Sequence, residues 1–512
     1  MGKEHDLPVV TLAIPQNSLT GAQGVLNNIE MTYEYEGQLT LIEDGQEKFS
    51  IPCGFRLHGN DSRKGDKQNF QLRFRGEYGA TKLEYRLFED RDIDTFDSLL
   101  LKGGSEDWYK SMIRDELGSA IADSGMNLYA QATKPVVLYL GDRYWGIYYL
   151  RERYSADYVA SHLGVSEEMT PTLYSMMHEG FYFTDYYVPD WGVSTTDGEY
   201  AHLTGTIPKD GVWSFKRSSG NYMPLTMNQQ LLKLGYNSYA YHGHTHTYYG
   251  RDQYLGNLGY NYKGLGGGLE VKKTWPESDV EVVDLSTADF VGQQPFSVYY
   301  MTISGHREFN FSGNSMAAKN KELVADLPYS NNVRAYIATQ LELEHSMGLL
   351  LQRLEEAGVL DNTVIVLTAD HYPNGLTAEE MGELLGHTPE GNFEIYRNGC
   401  IIWKPGMTPE VIDEPMSHLD LLPTVSNLFG LEFDSRLYMG RDVFSDAEPL
   451  VMFRNRSWIT GDARYNSQTG KAEFFSGAES SEYVKAINTE VGNRFAVSTR
   501  ILENDYWRIL FQ

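Results

Sequence analysis

Thr363-Val364-Ile365-Val366-Leu367-Thr368-Ala369-Asp370-His371 is the stretch on which the fold turns. Its first six residues are β-branched or apolar with no alternation, as in a strand buried on both faces of a parallel sheet. Such a strand needs helices on either side. Val333 to Ala357 carries an apolar stripe through Leu343, Met347, Leu350 and Leu354, and Gly358 is placed to end it. Further upstream, Pro224 to Leu234 reads as a helix stopped by Gly235. Tyr236 to Tyr241 and Ser297 to Ile303 read as strands. From about residue 165 onward the alternation predicts an α/β fold, a mostly parallel sheet flanked by helices. Ligands of such sheets bind beyond the carboxyl ends of the strands, and Asp370-His371 stands at one.

The chain before residue 165 has another character. Residues 1 to about 88 read as short alternating strands broken by Gly, Asn and Asp turns, as from Gly54 to Phe74. Ser111 to Asp123 has helical spacing at Ile113, Leu117 and Ile121, with Gly125 as a stop. Pro135 to Leu140 is a buried-type strand, followed by the turn Gly141-Asp142-Arg143 and an aromatic strand through Leu150.

The 512 residues carry a net charge of -27, which argues against a nucleic-acid partner. An anionic substrate would need a locally basic or metal-bearing pocket to overcome that field. Two cysteines far apart, Cys53 and Cys400, exclude a disulfide framework and a cysteine-rich zinc site. No apolar run approaches the ~18 residues of a membrane span, so no transmembrane segment is expected. Met1 to Asp6 is polar and acidic, so no export signal or membrane anchor is expected in this chain.

Three constellations could carry chemistry. Asp370-His371 offers a carboxylate and an imidazole to a divalent cation, or forms an ordinary capping loop. Ser194-Thr195-Thr196-Asp197-Gly198-Glu199 precedes a helix, where backbone N–H groups favour a phosphate and a hydroxyl beside a metal becomes a nucleophile. A plain N-cap is the simpler reading. His242-Gly243-His244-Thr245-His246 leads to Tyr249 and Arg251. Its histidines suit a zinc ion if they share a strand face, or a phosphate pocket together with the Arg251 fork. His306, after the third predicted strand, is a further candidate.

From about Met169 to Phe444 these segments stand in the order found in the catalytic domain of the lipoteichoic acid synthases. That family belongs to the alkaline-phosphatase and sulfatase superfamily. The resemblance runs through Met169-Thr170-Pro171, Gly180 to Phe183, Ser194 to Glu199, His242 to Arg251, Ser304-Gly305-His306 and Thr368 to His371. It closes with Ser417 to Thr424 and Met439 to Asp442. It implies that Thr195 is the nucleophile and that Thr195, Asp370 and His371 hold Mn2+ (or Mg2+). It implies that His242, His244, Tyr249, Arg251 and His306 bind the head group of a phosphatidylglycerol-like lipid. His244 stands where the family has Asp, and Tyr249 where it has Trp. The implied location is the outer face of the cell membrane. Sulfatases that use formylglycine need a Cys-x-Pro/Ala-x-Arg motif, and neither Cys53 nor Cys400 provides one.

Residues Pro8 to Gly164 resemble the amino-terminal portion of the CotH (spore coat protein H) kinases. Arg56 to Arg63, Lys67 to Phe74, Arg114 to Leu117, Tyr144 to Tyr148 and Arg151 to Arg153 carry that likeness. It implies a smaller α+β kinase-lobe-like domain over 1–165, ahead of the catalytic domain over 166–512, with Lys67 as a vestigial phosphate contact. A kinase also needs second-lobe carboxylates, and no such stretch follows. The synthase family in turn begins with an apolar strand ending in a metal-binding Glu or Asp, and kinase-like sequence stands in its place. Glu167 or Glu168 are the substitutes within reach. Three functions follow: a phosphoglycerol transferase or phosphodiesterase, a non-catalytic surface scaffold, and an atypical kinase.

Overall fold

The computed structural model describes residues 5–29, 31, 33–59, 63, 65, 67–89, 93–104, 108–114, 116–117, 119, 131–153, 169–193, 195–385, 387–475 and 480–512. The chain divides into two compact units, Met1–Glu167 with Leu384–His387, and Glu168–Glu383 with Thr388–Gln512.

The first unit is built on a closed barrel. Its strands are β1 (Val9–Ala13), β2 (Glu34–Glu43), β3 (Gln46–His58), β4 (Asn69–Arg73), β5 (Ser98–Lys102), β6 (Thr133–Leu140) and β7 (Arg143–Glu152). They close in the order β1-β2-β3-β4-β5-β7-β6. The alternation read over the first 88 residues places Leu39 and Leu41 of β2 inward and fully buried, and the buried-type strand read over Pro135 to Leu140 appears in β6, where Val136, Val137 and Leu138 are all buried. Gly141 takes the left-handed φ of 58° that the β6–β7 turn requires. In the helix expected over Ser111 to Asp123, Arg114, Glu116, Leu117 and Ser119 are helical, and 115, 118 and 120–123 lie outside the described residues.

The second unit is α/β. Helix α1 (Pro171–Glu179) leads into strand β8 (Phe181–Tyr187), and helix α2 (Thr195–Thr204) follows. Helix α3 (Met227–Lys233) precedes β9 (Asn237–Thr245), helix α4 (Arg251–Asn257) and β10 (Asn261–Leu265). Helix α5 (Asp279–Phe290) leads to β11 (Phe296–Met301). The long α6 (Asn331–Glu356) precedes β12 (Ile365–Thr368) and β13 (Arg397–Trp403). The short strands β14 (Glu410–Ile412) and β15 (Met416–Ser417) then lead into α7 (His418–Leu428). Ser330 caps α6 by accepting from the Val333 N–H, and Gly358 takes up the left-handed φ of 69° just beyond it.

The single sheet expected from the sequence is split in two. One has the order β10-β9-β11, parallel throughout. The other has the order β12-β13-β8-β14, with β15 also pairing to β8. One helical layer serves both: Tyr241 of β9 and Ile401 and Trp403 of β13 share an apolar core with Met347, Leu350 and Leu354 of α6.

Candidate functional site

Both sheets deliver side chains to one place. Thr195 is the first residue of α2, and α2 lies directly against the loop after β12. A Cβ on Gly198 would fall 2.1 Å from the Asp370 carbonyl oxygen, so only glycine permits that approach. Thr195 Oγ1 is consequently 3.4 Å from His371 Nε2, and Asp370 Oδ2 is 3.3 Å from the same nitrogen. His371 Nδ1 lies 2.6 Å from the Tyr372 carbonyl oxygen, which can only accept. Nδ1 therefore carries a proton, and Nε2 faces Thr195 and Asp370. His418 Nε2 donates to the Ala369 carbonyl at 2.9 Å and fixes the residue before Asp370.

A second group meets the same cavity from β9 and α4. His242 Nδ1 donates to the Met301 carbonyl at 2.8 Å, which leaves Nε2 to accept from Arg251 Nη1 at 3.3 Å. Burial, then the Arg251 charge, push the His242 pKa well below the ordinary imidazole value. The Arg251 fork is turned onto Glu199, with Nη2 to Oε2 at 2.7 Å and Nε to Oε1 at 3.3 Å. Tyr254 and Tyr299 hydroxyls also donate to Glu199, at 3.2 and 3.3 Å. Burial works against the Arg251 charge, but Glu199 overcomes it and holds the guanidinium above its usual pKa.

Aromatic neighbours pack around these groups; Tyr249 and His306 line the cavity, and His244 and Trp275 do not. Tyr249 adopts a left-handed φ of 59°, and its ring lies 5.5 Å from the Arg251 guanidinium carbon. His244 Nδ1 is 2.9 Å from Glu277 Oε1, and Glu277 is fully buried. Trp275 stands edge-on to His244 at 5.4 Å and to His306 at 4.9 Å. Burial lowers the His306 pKa, and the ring is near enough to feel the charges of Asp370 and His371. His246 leaves this group and stacks on Tyr262 at 4.7 Å. The β9 register shifts between His242 and Thr245, so the three histidines do not share a face and the zinc reading of that run fails.

Thr195, Asp370, His371, His242, Arg251 and His306 thus line one cavity of about 1200 Å3, and Tyr249 joins them. Among the described residues no group of three or more His, Cys, Asp or Glu gathers in a metal-holding cluster. Ser194, Glu167 and Glu168 lie outside the described residues. In the first unit, Lys67 Nζ donates to the Ile147 carbonyl and lies 4.7 Å from the Tyr148 ring. Burial lowers its pKa. Cys400 is buried in β13, where burial pushes its thiol far up and leaves no thiolate to attack.

Several contributors carried no role in the sequence reading. Glu199 and His418 sit inside motifs quoted for other residues. Tyr299, Trp275 and Glu277 had no local signal. His202 belongs with them: its ring faces His418 at 5.9 Å, and Tyr299 bonds it at 3.3 Å. Burial lowers His202 to about 3 and His418 to about 4. Both values lie below the unfolded value near 6.5. The folded state therefore refuses protons that the unfolded chain accepts. The stability these rings confer is complete above pH ~6.5 and is lost as pH falls toward 4, at about 1.4 kcal/mol per pH unit for each ring. Thermal unfolding midpoints should fall across that window, and the slope should flatten in His202→Gln. An unchanged slope would remove His202 from the effect.

Comparison with known proteins settles the family. A family model described as Sulfatase matches residues 147–431, more than half the chain. The chain belongs to the sulfatase family. A second model, described as CotH kinase protein, matches residues 55–202, so the two matches overlap around β7 to α2. Lipoteichoic acid synthase 1 of Bacillus subtilis (strain 168) is 26% identical over 371 residues, covering 67% of this chain and 55% of that protein. The lipoteichoic acid synthase of Staphylococcus saprophyticus is 28% identical over 328 residues, covering 58% of this chain and 47% of that one. The chain thus spans about half the length of the curated relatives it matches. Among solved structures, the lipoteichoic acid synthase LtaP from Listeria monocytogenes superposes with a TM-score of 0.57 at 22% identity, covering 66% of this chain and 86% of that one. A protein of the alkaline phosphatase superfamily from Vibrio parahaemolyticus gives 0.51 at 16% identity, covering 68% and 84%. The α/β unit therefore has an alkaline-phosphatase/sulfatase-like fold. No helix among the described residues is long and apolar enough to cross a membrane.

Proposed function

We propose that the second unit is a phosphodiesterase or phosphoglycerol transferase in which Thr195 is the nucleophile. The observation that carries this reading is the convergence of Thr195 Oγ1, Asp370 and His371 Nε2 within 3.4 Å contacts at the start of a helix. The helix start presents N–H groups that favour a phosphate. Three protein donors with open positions are the usual count at a catalytic metal. An alcohol oxygen, a carboxylate and an imidazole whose lone pair is freed by its Tyr372 bond suit manganese or magnesium poorly served by thiols. Asp370, His371 and Thr195 would hold Mn2+ (or Mg2+). A bound ion supplies Lewis acidity and lowers the pKa of the attacking hydroxyl.

The chain's own residues account for the rest. Thr195 Oγ1 attacks phosphorus, its bond to phosphorus forms, and the ester bond to the leaving alcohol breaks. The proton given up by the Thr195 hydroxyl balances the one taken up by the leaving oxygen, and the phosphoryl group, with its remaining ester arm, stays on Thr195. Water or a second alcohol then attacks the same phosphorus and restores the threonine hydroxyl. Neutral His306 and Tyr249 offer hydrogen-bonding groups along the cavity to the hydroxyls of a phosphoglycerol head group, while His242, both of whose ring nitrogens are engaged, shapes the wall behind them. With phosphatidylglycerol the leaving alcohol is diacylglycerol. The likeness to lipoteichoic acid synthases supports that substrate class and a place at the outer cell envelope.

The test uses bis(p-nitrophenyl) phosphate with manganese. Nitrophenol should be released, and a rapidly quenched, digested sample should carry the added p-nitrophenyl phosphoryl mass on the peptide containing Thr195. Release with the mass on another residue would overturn the assignment of Thr195. No release with or without metal would favour the scaffold reading.

A further inference from the structure

The geometry points to Arg307 as the residue that takes the non-bridging oxygens of the substrate's phosphodiester, a task for which the sequence nominates Arg251. The inference rests on the phosphodiester reading of the site and adds the cation that receives the anion. Of the described residues lining the cavity of about 1200 Å3, only Arg251 and Arg307 carry a permanent positive charge. The Arg251 fork is already engaged. Its Nη2 and Nε meet Glu199, and its Nη1 meets His242. The side chain is 1% exposed, and the Glu199 carboxylate that neutralises it is fully buried. A phosphate could bind Arg251 only by breaking that pair, which would leave Glu199 as an uncompensated charge in the core.

Arg307 is in the opposite condition. It is exposed, and its guanidinium makes no hydrogen bond or ion pair among the described residues. The base of its side chain is nevertheless held in place. A Cβ on Gly375 would fall 2.9 Å from Arg307 Cβ and 2.8 Å from Phe309 Cε2, so glycine lets the loop after His371 lie directly on this segment. Phe309 packs edge-on against Tyr336 of α6, with ring centres 5.0 Å apart. The Arg307 charge also lies near the reacting groups. Burial is the main reason that His306 resists protonation; Arg307 adds to that resistance and Asp370 opposes it, so the ring stands within range of both charges.

Two neighbours add unengaged polar groups to the same stretch of lining. His306 Nδ1 donates to the Arg307 carbonyl at 2.7 Å, which leaves Nε2 for a ligand. Asn374 stands beside Gly375, and its carboxamide makes no hydrogen bond among the described residues. It lines both the large cavity and a smaller one of about 220 Å3, and the two cavities share Thr195, Asp370 and His371. A phosphodiester has two non-bridging oxygens, and a guanidinium fork matches them with two parallel N–H bonds. The chain's net charge of -27 and the Asp370 carboxylate beside Thr195 both repel such an anion, so a cation in the lining is what admits it. A guanidinium left free in water can turn to the anion without first giving up a protein partner.

The test measures binding of bis(p-nitrophenyl) phosphate by equilibrium dialysis, using the full chain as Thr195→Ala with manganese present. Adding Arg307→Gln should weaken binding at least about tenfold, the usual weight of charge-assisted hydrogen bonds to an anion. It should also flatten the dependence of affinity on salt. The thermal unfolding midpoint should stay where it is, since the side chain is exposed and unbonded. Arg436→Gln is the control: Arg436 is an exposed arginine that does not line the cavity, and its loss should leave the affinity unchanged. Absence of saturable binding, unchanged affinity in Arg307→Gln, or an equal loss in Arg436→Gln would overturn the proposal. Binding is read without turnover, so failure of the proposed hydrolysis leaves this inference standing. Hydrolysis by Arg307→Gln with an unchanged KM would strike this inference and leave the phosphodiester reading intact.

Discussion

Arg251→Met is expected to destabilise the second unit by about 3–5 kcal/mol, measured as the shift in its urea unfolding curve. The reason is where the Arg251 fork goes. Its side chain is 1% exposed and that of Glu199 is fully buried, with the two in contact at 2.7 Å. Methionine fills similar space but leaves a carboxylate in the core, held only by the Tyr254 and Tyr299 hydroxyls. Removing one partner of a buried pair costs more than removing both, because the remaining charge must be desolvated without compensation. The double variant Arg251→Met with Glu199→Gln should therefore recover much of the loss. Additive losses in the double variant would show that the two side chains act independently. The pair matters for function as well as stability. It ties the middle of α2 to the start of α4, and so sets Thr195 against the His242 wall.

That pair also shows what a sequence conceals. The strand Thr363 to Thr368 and the helix Val333 to Ala357 were legible because burial on two faces and on one face leave different periodicities. Observed β12 and α6 match them in extent but for their ends, yet β12 is an edge strand antiparallel to β13 with Val366 37% exposed, not a strand inside a parallel sheet. Asp370-His371 was legible because chemistry in such sheets sits at the ends of strands. The partner of Arg251 was not, since Glu199 lies on another helix and no local pattern links them. The histidine run misled for a related reason: a register shift in β9 sends His242, His244 and His246 to three different partners. Trp275 and Glu277 come from a loop without periodicity, and only tertiary contact gives them a role. The sharing of one core by both half-sheets was not legible either: α6 packs its apolar stripe against residues of each, a tertiary contact that its own periodicity does not specify.

Thr195→Ala is expected to reduce manganese-supported phosphodiester hydrolysis by at least about 10^3-fold, as usual when a nucleophile is removed. The substitution removes the oxygen that lies 3.4 Å from His371 Nε2 and leaves α2, with its close approach of Gly198 to Asp370, in place. Stability should therefore change by no more than about 1 kcal/mol, which separates a lost nucleophile from a lost fold. Thr195→Ser keeps the hydroxyl on a freer side chain and should retain most of the rate. A nucleophile predicts this order: threonine and serine active, alanine inactive, and a phosphorylated peptide only in the active forms. A residue that merely shaped the helix start would rank differently, because serine caps better than threonine and alanine is poor, and all three would turn over within a few-fold. Equal rates for Thr195→Ala and the parent chain would move the chemistry from Thr195 to a water activated near Asp370 and His371.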